Sequence, residues 1–137
     1  MSVYTPGQVA EETGFSLDTL RYYERIGLLE PIERNAAGQR RFSDEDIGWL
    51  GMVRCLRDTG MPIAEMLRFT ELVRGGGETI GDRITLLETH DHEVEAQIAR
   101  LRERQAAIQR KIQHYRDILA QRNTPTPRTR PEDPTTP

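Results

Sequence analysis

The segment SLDTLRYYERIGLL, residues 16–29, shows two faces when wound at about 3.6 residues per turn. Leu17, Leu20 and Ile26 fall on one side, and Thr19, Arg21, Tyr22 and Arg25 fall around the other. Ser16 suits an N-cap, and Gly27 suits the left-handed residue that closes a helix. The polar face carries guanidinium, hydroxyl and phenol groups, which grip phosphate or stack on bases. This is the character of a recognition helix, and the flanking chain reads as its mounting.

Upstream, Thr5-Pro6-Gly7-Gln8 is a helix start: Thr5 caps, Pro6 takes the first helical position and Gln8 can complete a capping box. Gly14 ends that helix, so a very short turn joins it to the next. The pattern fits a helix-turn-helix, whose second helix enters the major groove. It equally fits an ordinary helical hairpin. Downstream, two short extended runs flank Asn35–Gly38, a hairpin turn. As a wing beside the recognition helix, this ribbon would lay Arg34, Arg40 and Arg41 along the flanking phosphates. The alternative is a solvated hairpin.

Ser43 caps a third helix with an acidic first turn, Asp44–Asp46, and an apolar stripe through Trp49, Met52, Val53 and Leu56. A fourth helix starts at Met61-Pro62 and ends at Gly75-Gly76-Gly77. Beyond the glycines a heptad pattern runs without a break: Ile84, Leu87, Val94, Ile98, Leu101, Ile108, Ile112, Tyr115 and Leu119, with Asp91 and Gln105 on the same seam. A lone helix cannot bury such a stripe, so these are dimerisation positions. The expected organisation is a DNA-binding head over 1–74, a glycine-rich linker over 75–79, a coiled-coil helix over 80–121 and a disordered tail over 122–137.

The chain has 137 residues, 19 Lys or Arg against 22 Asp or Glu, and a net charge of −3. Any affinity for nucleic acid must therefore come from local arginines. Lys111 is the only lysine, so nearly all positive charge is guanidinium, suited to bidentate phosphate and guanine contacts. A single cysteine excludes an intrachain disulfide and fits a reducing compartment. Without an apolar run of spanning length or a signal peptide, a soluble, cytoplasmic protein is expected.

The motifs GQVA (7–10), TGFS (13–16), LRYYE (20–24) and GLL (27–29), followed by an arginine-bearing wing ending RRF (40–42), resemble the MerR family of transcriptional regulators. The resemblance covers about residues 3–74. It implies a mostly α fold: a winged helix-turn-helix head with a small β-hairpin wing, then a long helix forming an antiparallel coiled-coil homodimer. It further implies a pseudo-palindromic operator in promoter DNA, distortion of the promoter spacer and cooperation with RNA polymerase. The positions implied for DNA binding are Ser16, Thr19, Arg21, Tyr22, Tyr23, Arg34, Arg40 and Arg41. Successive helical positions diverge by about 100°, so Tyr22 and Tyr23 cannot share a role: one meets the backbone and the other packs under the wing.

No cysteine follows Cys55, which argues against the family's metal-sensing and iron–sulfur classes. His90 and His92 face different ways on a helix, make a poor metal pair, and read as solvated. No catalytic constellation stands out, so no enzyme, cofactor or metal is expected. The segment VRCLRDTGMP (53–62) resembles the single-cysteine subgroup typified by AdhR and NmlR, which answers reactive aldehydes and thiol stress, and makes Cys55 the sensor candidate. A bulky adduct overfilling a packed site would cost about 1–3 kcal/mol, the scale of allosteric coupling. The alternatives are a buried structural cysteine in a regulator of other metabolism, or a coiled-coil protein-interaction adaptor.

Overall fold

The computed structural model describes residues 3–123. In chain order these form β1 (Val3–Tyr4), α1 (Pro6–Thr13), α2 (Leu17–Ile26), β2 (Glu33–Arg34), β3 (Arg40–Ser43), α3 (Asp44–Asp58), α4 (Ile63–Arg74), a 3-10 turn (Gly77–Thr79) and α5 (Ile80–Asn123). The chain divides into two units, one reaching Val94 and one beginning at Glu95.

The expected caps form. Thr5 accepts from the Gln8 N–H while the Gln8 side chain accepts from the Thr5 N–H, and Ser16 accepts from the Thr19 N–H. Gly14 and Gly27 close α1 and α2 in the left-handed region, at φ 80° and 88°. After Gly27 the chain folds back under α2: the N–H groups of Leu28 and Leu29 both donate to the Tyr23 carbonyl, at 2.9 and 3.1 Å. This delivers both leucines to the core, where Leu28 is fully buried. The Ser43 and Asp46 capping box starts α3. Trp49 on that helix stacks on Phe69 of α4 and donates its indole N–H to the Leu28 carbonyl at 2.9 Å.

The head's sheet has three strands, in the order β1-β3-β2, with both pairs antiparallel. The sequence pattern supplies the β2–β3 hairpin but not β1. Two residues offer no periodicity to read, and Val3 and Tyr4 become a strand only by pairing with Ser43 and Phe42. The Tyr4 hydroxyl also donates to Asp44 at 2.8 Å.

Four expectations change here. Leu17 is exposed rather than inward, because the chain enters α2 at the protein surface. The first unit runs past residue 74 to Val94, because Leu86 and Leu87 pack against the head core. Leu87, marked by its heptad position for the dimer seam, is partly buried against the head core. His90 is buried, not solvated: its Nε2 lies 2.7 Å from Thr59 Oγ1 at the end of α3. Finally, α5 continues through Asn123, two residues beyond the expected boundary. The rest of the expected tail, residues 124–137, lies outside the described residues. Among those described, no helix is long and apolar enough to cross a membrane.

The glycines divide by conformation, with opposite consequences for substitution. Gly14→Ala places a Cβ at φ 80°, against the Arg54 guanidinium, and should cost about 1–2 kcal/mol. Gly48→Ala, inside α3 with nothing within 4 Å of the added Cβ, should instead stabilise by about 0.5–1 kcal/mol. Thermal denaturation of the two variants checks both signs.

Candidate nucleic-acid interface

The outward face of α2 carries Arg21, Tyr22 and Arg25, all exposed, with Thr19 half-buried beside them. The Arg25 guanidinium lies 5.4 Å from the centre of the Tyr22 ring, which keeps the two side chains together. Arg21 meets Asp18 at 3.2 Å in an exposed pair that contributes little to stability. At the start of the helix the Ser16 hydroxyl donates to Thr19 Oγ1 at 2.9 Å. Two hydroxyls thus stand where helix N–H groups and the dipole favour a phosphate.

Tyr23 does not belong to this surface. It is 4% exposed and meets Phe15 edge-on, with ring centres 5.4 Å apart. Of the two tyrosines, Tyr22 is therefore the outward one, and Tyr23 is core. Its ring partner Phe15 lies in the turn between α1 and α2, and it shares the core with Ile32 and Phe42 at the base of the wing.

The wing is shaped by its own hydrogen bonds. Asn35 Oδ1 accepts from the N–H groups of Ala37 and Gln39, both at 2.9 Å, and Arg34 Nη1 donates to the Gly38 carbonyl at 2.8 Å. Arg34 lies opposite Arg40 in the ladder, and Arg41 lies opposite Glu33. Successive strand residues point to opposite faces, so the three arginines do not form one row. Arg41 is exposed. Arg40, expected along the phosphates, is turned inward: its Nε donates to Glu24 Oε1 at 2.8 Å, and its side chain is only 23% exposed.

Glu24 stands within the LRYYE motif, where local sequence assigns it no role. The structure makes it the tie between α2 and the wing. Its second oxygen, Oε2, accepts from the Ile32 N–H at 2.9 Å, just before β2. Burial alone would raise its pKa. The Ile32 N–H and the Arg40 guanidinium outweigh that, with Arg34 adding to them, and hold the carboxyl below its ordinary value.

Cys55 lies on α3 and is exposed, which removes the expectation of a buried structural cysteine. It also removes the picture of an adduct overfilling a packed site within one protomer. Gly48 and Gly51 on the same helix are exposed too, with open space beside them. Arg54 and Arg57 flank the cysteine in sequence, but both reach Asp58, at 3.3 and 3.2 Å. Arg54 also donates to the Thr13 carbonyl, and Arg57 lies over the Phe15 ring. Hydrogen bonds from Arg57 and then Arg54 lower the Asp58 pKa. One turn along, Thr59 Oγ1 donates to the Cys55 carbonyl at 2.7 Å and meets His90. Among the described residues, no three His, Cys, Asp or Glu side chains gather as a metal site would require.

In the second unit, Ile98, Leu101, Ile108, Ile112, Tyr115 and Leu119 are exposed along α5, a seam without cover in the single chain.

A helix-turn-helix with a β-wing beside its second helix defines a winged helix-turn-helix protein. Residues 4–70 match the family model for the MerR HTH family regulatory protein, and residues 47–111 match the MerR, DNA binding model. The chain is 38% identical over 117 residues to an uncharacterized HTH-type transcriptional regulator of Haemophilus influenzae, spanning 85% of this chain and 87% of that protein. It is 39% identical over 80 residues to the transcriptional regulator AdhR of Bacillus subtilis, spanning 58% of this chain and 57% of AdhR. Its fold is similar to that of HiNmlR, solved bound to promoter DNA and described as a MerR family regulator lacking the sensor domain. The TM-score is 0.81 at 36% identity, covering 90% of this chain and 98% of that one. The chain belongs to the MerR family and is a DNA-binding transcriptional regulator. These relatives are regulators, not enzymes.

The Glu24 contacts carry a pH signature. A depressed folded pKa means that the unfolded chain takes up the proton first. The tie therefore contributes its full stability above the ordinary glutamate range and loses it as pH falls through the lower folded value. The Ile32 amide resonance, followed by NMR on acidification, should titrate with a midpoint below that of an ordinary glutamate.

Proposed function

We propose that this regulator acts as a homodimer joined by antiparallel pairing of α5, and binds a pseudo-palindromic promoter operator. In this reading α2 enters the major groove with Thr19, Arg21 and Tyr22, and the wing follows the phosphates with Arg41 and its hairpin tip. The observation that carries it is the pairing of an outward Arg21–Tyr22–Arg25 face with a wing fastened to the same helix. The dimer is supported by the exposed α5 seam, since a helix with an apolar stripe requires a second surface to cover it. A bound dimer that bends and untwists the spacer would bring the promoter elements into register for RNA polymerase. Such switching requires two protein states whose balance an effector shifts.

Leu101→Asp with Ile108→Asp tests the dimer and its use together. The double variant should sediment as a monomer and bind the operator far more weakly, because each half-site is then engaged singly. A variant that remained dimeric, or a monomer with undiminished operator affinity, would remove the seam from the proposal.

The effector reading places a reactive aldehyde or other electrophile on Cys55. Addition of the thiol to an aldehyde forms an S–C bond and moves the thiol proton to the carbonyl oxygen, so no co-reactant is needed. Support comes from the exposure of the thiol and from the likeness to AdhR. Since the thiol is at the surface, an adduct acts on what approaches α3 along its open Gly48, Gly51 and Cys55 strip. Cys55→Ser should keep operator affinity and dimerisation while losing the transcriptional response to formaldehyde or methylglyoxal. Run-off transcription with both proteins checks this, and an equal response from the mutant would make the effector site a different one.

A further inference from the structure

The hydrogen bonds at the tip of the wing all run within the hairpin, among Arg34, Asn35, Ala37, Gly38 and Gln39. They give the wing its shape but not its direction relative to α2. The base is anchored by the pairing of β3 with β1, which does not involve α2, and by the buried side chains of Ile32 and Phe42. Apolar burial is non-directional and tolerates small rotations, whereas charge-assisted hydrogen bonds fix geometry as well as adding energy. One group supplies such bonds from α2 to both sides of the hairpin. Glu24 Oε2 holds the Ile32 N–H ahead of β2, and Oε1 holds Arg40 on β3. Because β3 is the central strand, fixing Arg40 fixes the strand that carries both of its neighbours. The pair is largely withdrawn from solvent, at 17% and 23% side-chain exposure, so it is weakly screened by salt.

We propose that Glu24 is the positioning residue of the wing: its carboxylate, working through Ile32 N–H and Arg40, sets the angle between hairpin and recognition helix at which Arg41 reaches the phosphate backbone. Arg40 is then an internal strut and not a phosphate contact. The inference rests on the wing–phosphate contact proposed above, and it divides the two adjacent wing arginines into one that touches DNA and one that aims it.

The test uses the full chain on an operator fragment, with hydroxyl-radical footprinting for the flanking backbone and methylation protection for the major groove. Affinity is measured across a salt series. Arg41→Ala should lower the salt slope by about one per lost phosphate contact in each half-site. Glu24→Gln keeps an acceptor for Ile32 but loses the charge. It should weaken binding on the order of tenfold and lower the salt slope as Arg41→Ala does, although it removes a negative charge. Flank protection should fade while major-groove protection by α2 persists. Arg40→Ala should behave the same way, and the double variant should be no worse than either single one, because both remove the same strut. Arg40→Lys, which keeps the charge but not the Nε donor, gives a milder variant if Glu24→Gln fails to fold, and it should also lose flank protection. If Arg40→Ala lowers the slope while Glu24→Gln or Arg40→Lys leaves the footprint intact, Arg40 contacts phosphate directly and the positioning role is wrong. If the wild type shows no flank protection at all, the wing contact itself fails, and this proposal with it.

Discussion

The head depends on the burial of the inner face of α2. Leu20 and Tyr23 enter the core there, Phe15 meets the Tyr23 ring, and the Tyr23 carbonyl gathers the N–H groups of Leu28 and Leu29. A single residue thus packs the turn before the helix and the turn after it. Burying an aromatic side chain contributes on the order of 1.5–3 kcal/mol, and here that burial also fixes the helix rotation. With Tyr23 inward, Tyr22 and Arg25 must point out. The DNA-facing surface is the complement of the core.

The electrostatics follow a similar division. Most arginines of the head bond to other groups of the same chain, several of them while still exposed. Arg34 closes the wing tip, Arg40 meets Glu24, Arg54 reaches the end of α1, and Arg57 meets Asp58 over Phe15. Arg83 does the same at the glycine turn, donating to the Gly76 carbonyl at 2.5 Å and to Thr79 Oγ1 at 3.0 Å. A guanidinium on carbonyls at a helix end satisfies acceptors the helix leaves over and opposes the dipole. In an acidic chain the exposed cations of the helix and wing surface are Arg21, Arg25, Arg34 and Arg41, with Arg21 paired to Asp18 and Arg34 holding the Gly38 carbonyl. Counting arginines in sequence therefore overstates the charge presented to DNA.

The end of α3 carries a second junction. Thr59 Oγ1 lies within hydrogen-bond distance of the carbonyls of Cys55 and Leu56 and of His90 Nε2 on α5. One hydroxyl hydrogen cannot serve all of these at once. With Thr59 donating to Cys55, His90 Nε2 must carry the proton and donate to Thr59. The segment bearing the exposed thiol is thus linked, one turn on, to the first stretch of α5, the helix whose later residues expose the apolar seam.

Local rules made much of this protein legible in its sequence. The caps at Thr5, Ser16 and Ser43, the left-handed glycines at 14 and 27, and the boundaries of the helices depend on chemistry within a few residues. So does the hairpin turn over Asn35–Gly38. The ordered motifs from GQVA to RRF carried the family. What depends on distant partners was decided only by the tertiary structure. Val3 and Tyr4 are a strand because β3 is beside them. The choice between Tyr22 and Tyr23 is made by Phe15. Leu87 and His90 fit a heptad and a solvated face until the head packs against them. Arg40 and Arg41 are adjacent and chemically identical, and pleating sends them to opposite faces, one toward Glu24 sixteen residues earlier. Sequence periodicity specifies that a face exists. Which neighbour covers that face is a property of long-range packing, and it separates the arginine that stays outside from the one that holds the wing.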